Sequence, residues 1–164
     1  MSDLQSIGND AYASLVQMVK RLDPDFWERI EELRDMEDRT PEDDAELAKL
    51  EEAREHCEDE DEAREAILED ALSVEVRSDW HTPGSEAENT EYCILLSTGG
   101  PATEYCILLP TGGPAARIVG ELSQWKQPVS ATLQVQDWGA PWTDYREADE
   151  DTLLKYADVF YFGE

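Results

Sequence analysis

The sequence predicts an α+β protein: acidic N-terminal helices packed with a C-terminal antiparallel sheet of four to five strands and a short closing helix. Three observations carry this. Apolar residues recur at helical spacing through residues 1–72. From residue 73 the pattern changes to period-two alternation and short apolar runs separated by glycine- and proline-bearing turns. The charge divides in the same way: of a net −27, the stretch 21–70, with 23 acids against seven bases, contributes −16. The expected units are therefore an acidic helical region, 1–72, and a sheet region, 73–164. Together they are expected to form one compact body, because 164 residues suit a single domain with a modest core.

The first helix opens on `SDLQ`, where Ser2 can cap and Gln5 can reach back. Leu4, Ile7, Ala11, Leu15, Met18 and Leu22 then form its apolar face. Asp23 followed by Pro24 starts a second helix, with Phe26, Trp27, Ile30 and Leu33 on its apolar side. Thr40 followed by Pro41 repeats the device for a third, which runs through Leu47 and Leu50 toward Ile67, Leu68 and Leu72. Its apolar stripe fails over Glu58–Glu62, so there the helix either leaves the core or breaks in two.

Residues 72–80 alternate, which places Val74 and Val76 inward on a half-buried strand. `EYCILL` is apolar on both faces, as a central strand is. `ARIVGEL` reads as another strand, and `SATLQVQDW` as one with Leu133 and Val135 inward. `GAPWTDY` is an aromatic turn, and `DEDTLLKYADVF` a final helix with acids at its positive end.

Thirteen residues, Thr90–Ala102, are followed at once by the same thirteen, Thr103–Ala115, with Ser97 against Pro110 as the one difference. `TGGPA` reads as a hairpin turn. One copy explains one strand. The other is expected to add a strand, because a looped-out, exposed `YCILL` would invite aggregation; the first copy, with Ser97, should make the more regular ladder.

On a continuous third helix, Glu51, Glu55, Glu58, Glu62, Glu65 and Glu69 share one face, about 5.4 Å apart. Asp59, Glu60 and Asp61 thicken the row. Such a row approximates the phosphate spacing of about 3.4 Å per strand. Like charges three or four apart cost about 0.2–0.5 kcal/mol per pair, so stability does not account for them. A solvated helix face and a salt-adapted composition are the alternatives. Four lysines against nine arginines fit the latter, and the concentration of acid in one stretch does not.

A chain this acidic is repelled by nucleic acid and anionic membranes and drawn to basic surfaces. The expected partner is a basic nucleic-acid-binding protein or complex, with no direct nucleic acid, no membrane, no cofactor and no metal. Three cysteines are too few for a disulfide framework, and two histidines lack metal-ligand spacing. No nucleophile motif, phosphate loop or dinucleotide fingerprint occurs, so no catalytic residue is assigned and an enzyme is not expected. Asp79, His81 and Cys93 make only a weak catalytic cluster. An alternative binding surface is aromatic: Trp138, Trp142 and Tyr145 on the C-terminal sheet. No apolar run approaches the ~20 residues of a membrane span, and the start lacks a signal layout, which points to the cytoplasm.

The segments `EYCILLSTGGPAARIVGEL` (with one repeat copy read away), `LQVQDWGAPWTDY` and `YADVFYFGE` resemble small uncharacterised proteins of bacterial phages and integrative elements, over roughly residues 72–164. The acidic half resembles, in class, the DNA-mimic inhibitors of host defence, the anti-CRISPR and antirestriction proteins. That resemblance implies inhibition of a nucleic-acid-binding defence complex by occupation of its basic groove. The alternative is a non-enzymatic binding module of a mobile element that uses the aromatic sheet, with acidic helices for solubility.

Overall fold

The computed structural model describes residues 3–78, 83, 89–96, 114–137 and 140–162. Helices α1 (Asp3–Lys20), α2 (Pro24–Asp35), α3 (Pro41–Ala53) and α4 (Glu60–Asp70) precede strands β1 (Ala71–Ser78), β2 (Asn89–Leu96), β3 (Ala115–Glu121), β4 (Thr132–Gln136) and β5 (Thr143–Asp144). Helix α5 (Glu150–Ala157) closes the fold. This is the α+β class expected.

The helix starts follow local chemistry. Asp23 accepts the Asp25 N–H at 3.1 Å with Pro24 at the first helical position. Thr40 and Asp43 cap α3 reciprocally: the Thr40 hydroxyl accepts the Asp43 N–H, and the Asp43 carboxylate accepts the Thr40 N–H at 2.9 Å. Asp149 accepts the Thr152 N–H at 2.9 Å to start α5. The expected cap at Ser2 lies outside the described residues.

The strands form an antiparallel meander in the order β1-β2-β3-β4-β5. Register sorts residues into two faces. Ile94, Ile118 and Leu133 stand in one row and Leu96, Ala116 and Val135 in the next, all on the inner face. Helices α1 and α5 pack on that face, α1 against β3 and β4 and α5 against β4. Ala11 and Leu15 of α1, Ile67 of α4, and Leu153, Tyr156 and Ala157 of α5 share one core with the strands. The two sequence regions therefore meet in a common core. The Tyr156 hydroxyl ties α5 to the end of α4, donating to Asp70 at 3.0 Å.

Three expectations need correction or completion. The third helix does not run from Pro41 to Leu72: it stops at Ala53, and α4 begins afresh at Glu60 with Asp59 as its cap. Val74 and Val76 do share the inner face with Ile94 and Tyr92, yet they are 40% and 43% exposed. β1 is the outermost strand of the described sheet, with a strand neighbour on one side only. The first repeat copy supplies β2, with Ile94 fully buried and both ladders taken by β1 and β3. A strand from the second copy is therefore not interposed between β2 and β3. Ile107, Pro110 and most of that copy lie outside the described residues.

Candidate functional site

The acidic row is divided by a turn with a definite cause. Helix α3 ends at Ala53, and Glu55 takes a left-handed backbone, φ 52°. Its carboxylate meets the Arg21 guanidinium at 2.6 Å, and Arg21 is 4% exposed. The Ala53 carbonyl accepts the Arg21 Nε–H at 2.8 Å, and the Arg21 carbonyl accepts the Trp27 indole N–H at 2.7 Å. One buried arginine thus joins the ends of α1 and α3 to the start of α2. Cys57, buried just beyond the turn, anchors the connection, while neighbouring His56 is exposed.

This reassigns much of the predicted row. Glu51 bonds Arg34 of α2 at 2.8 Å and Arg54 at 2.7 Å. Glu55 belongs to Arg21, and Glu60 pairs with Arg64 at 3.0 Å. Asp59 accepts the Glu62 N–H at 2.9 Å, and the Glu62 carboxylate accepts the Glu58 N–H at 2.8 Å. These two close the first turn of α4, where the helix dipole favours anions. The single row at 5.4 Å spacing therefore does not exist.

Helix α3 has no buried residue. It is held to α2 by arginine bridges: Arg29 grips Glu46 with two bonds of 3.0 and 2.9 Å, beside the Arg34–Glu51 pair. Hydrogen bonding to Arg29 holds the Glu46 carboxyl below the usual carboxylate range. The Thr40 N–H and hydroxyl do the same for Asp43. Asp43, Glu46 and Glu51 are therefore structural carboxylates.

Of the predicted row, what remains is the outer side of α4. Ala63 and Ile67 are buried, so the opposite side presents Asp61, Glu62, Glu65, Leu68 and Glu69. Asp61, Glu65 and Glu69 recur every fourth residue, about 6 Å apart along the axis. Among the described residues no ion pair joins Glu58, Asp61, Glu62, Glu65 or Glu69 to a base. Leu68 is 49% exposed amid them, and Leu72 is 66% exposed just beyond.

The aromatic alternative is also redistributed. Tyr145 is buried against Gly8 of α1, and its hydroxyl donates to Asn9 at 2.5 Å, so it is a core residue and not part of a binding surface. Trp142 is half-buried and stacked on Arg117, whose guanidinium lies 4.2 Å from the ring. Arg117 continues through Gln134 at 2.9 Å to Asp144 at 2.8 Å, a polar row across the outer sheet face. Beside it Cys93 is half-buried, and burial pushes its thiol up. Trp138, Asp79 and His81 lie outside the described residues. Sequence reasoning passed over Arg21, whose only signal was an arginine at the end of an otherwise apolar helical face, and Arg117, which carried none.

Among the described residues no group of three His, Cys, Asp or Glu side chains is arranged to hold a metal. No helix of the described residues is long and apolar enough to cross a membrane. No protein-family model, curated protein or solved structure matches this chain.

Proposed function

We propose that this protein is an acidic interaction protein that occupies the basic groove of a nucleic-acid-binding host-defence complex, of the CRISPR type first and the restriction type second. The contact surface is the outer side of α4. The observation that carries the reading is the line of Asp61, Glu65 and Glu69, exposed, about 6 Å apart and without a described arginine partner, beside Glu58 and Glu62. Elsewhere in the acidic half the arginines are spent on holding α3 in place, so these carboxylates keep their charge for a partner. A row of like charges works against the helix that carries it. A groove rich in lysine and arginine relieves that repulsion, and the overall charge of −27 steers the encounter. Exposed Leu68 and Leu72 supply the apolar contact that a protein surface, unlike bare solvent, can use.

Displacement of a labelled DNA duplex from a purified CRISPR interference complex, and separately from a restriction enzyme, tests this by fluorescence anisotropy. The native chain should displace DNA at low salt and lose potency as salt rises. The triple variant Asp61→Asn, Glu65→Gln, Glu69→Gln should need about tenfold more protein. Equal potency of native and triple variant would remove α4 as the contact, and absence of displacement from both complexes would remove the reading itself.

A further inference from the structure

We propose that the two copies of the thirteen-residue repeat are interchangeable occupants of the central position between β1 and β3, so that the protein has two native forms differing in which copy is β2. The argument begins with what that position demands. The inner face takes Tyr92, Ile94 and Leu96, all buried, and the Tyr92 hydroxyl donates to the Ser130 carbonyl at 2.7 Å. The Thr90 carbonyl accepts the Leu122 N–H at 2.7 Å, and Glu91 pairs with Arg77. The second copy carries the same residue at each of these points: Thr103, Glu104, Tyr105, Ile107 and Leu109.

The exchange alters two positions at the margins of the strand, the residue preceding each copy and the one internal difference. Asn89 is replaced by Ala102, which costs one long hydrogen bond, from the Asn89 amide to the Phe162 carbonyl at 3.4 Å. Ser97 is replaced by Pro110, immediately after the last ladder pair, Leu96 with Ala116. That position follows the last described ladder pair, and a proline there biases Leu109 toward the extended backbone that the strand requires.

Chain length permits the exchange as well. With copy one in place, β1 connects to β2 through residues 79–88 and β2 to β3 through residues 97–114. With copy two in place, the connections become residues 79–101 and 110–114. Lengthening the first connection lowers the population of the exchanged form about 3.5-fold, and shortening the second raises it about sevenfold. The loop terms thus balance to within about twofold. The five residues `PTGGP` suffice for a hairpin between Leu109 and Ala115.

Exchange moves thirteen residues from one end of the sheet, where Leu96 faces Ala71 at the close of α4, to the other, where Asn89 faces Ser78. Because the strand is paired on both sides, the forms interconvert only by opening the centre of the sheet, and so slowly.

Redundancy is the test. Ile94 is fully buried at the centre of the sheet, so a carboxylate there is incompatible with copy one as β2. Ile94→Asp and Ile107→Asp should each stay folded, with melting temperatures within about 5 °C of the native protein. The double variant Ile94→Asp, Ile107→Asp should be unfolded at room temperature. Thiol alkylation read by mass spectrometry reports the occupant: Cys106 should be the slower of the two in Ile94→Asp, and Cys93 the slower in Ile107→Asp. Loss of the fold in Ile94→Asp alone would overturn the proposal. So would a folded double variant, or the same order of thiol reactivity in both single variants.

Discussion

The buried guanidinium of Arg21 holds the carboxylate of Glu55 at 2.6 Å, at a residue whose backbone is left-handed. Through this pair, the end of α1 decides where α3 stops and how the acidic stretch is folded back. A left-handed backbone costs an L-residue about 1–2 kcal/mol, and glycine escapes that cost. Glu55→Ala should therefore be less stable than Glu55→Gly by about 1 kcal/mol, although both lose the ion pair. Arg21→Ala, which also strips the bond to the Ala53 carbonyl, should lose more than either, about 3 kcal/mol. Urea unfolding of the three variants checks the order, and equal stability of the alanine and glycine variants would contradict the turn geometry.

Helix α3 should loosen before the rest of the protein as pH falls. Arg29 keeps the Glu46 carboxyl below its ordinary range, and Thr40 keeps Asp43 there too. A carboxylate depressed in the folded state contributes stability that is fully present above its unfolded value, about 4.3 for Glu and 3.9 for Asp. That contribution is lost as pH drops through the folded values. α3 has no buried residue to compensate, whereas the sheet core contains none of these groups. Amide hydrogen exchange measured from pH 6 to 3 should show α3 losing protection while β2–β4 retain it. Glu46→Gln should shift that loss upward in pH, and added salt should act in the same direction because the Arg29–Glu46 pair is largely exposed. Simultaneous loss of protection in α3 and the sheet would contradict the picture.

Gly8→Ala should destabilise the protein more than any helix-propensity gain can offset. A β-carbon at Gly8 would run into the Tyr145 ring, which is buried and fixed by its bond to Asn9. Alanine normally gains about 1 kcal/mol over glycine inside a helix. Here overpacking should reverse the sign, with a net loss of about 1–3 kcal/mol. Pairing it with Tyr145→Leu, which frees the space, should recover part of that loss. A Gly8→Ala protein that melts at or above the native temperature would show that α1 does not seat on Tyr145.

The α+β class, the two proline-led helix starts, and the inward Leu133 and Val135 were legible because each rests on neighbours within a few residues. Caps, turns and strand periodicity are local physics, and Thr40 with Asp43 or Asp149 with Thr152 needs no distant partner. The break in the acidic row was only half legible: the failing apolar stripe over Glu58–Glu62 allowed one, but the contact of Glu55 with Arg21, 34 residues earlier, lies beyond any local pattern. Tyr145 and Trp142 look alike in the string, yet one lies against α1 and the other on Arg117 of the outer sheet face.

By itself, then, the sequence determined the element types, the register of alternation and the surplus of acid. Only the tertiary structure decided which carboxylates are occupied and which are free. Pairing depends on where long-range folding places nine arginines among forty acids, and a charge shows its effect only when its nearest opposite charge is known.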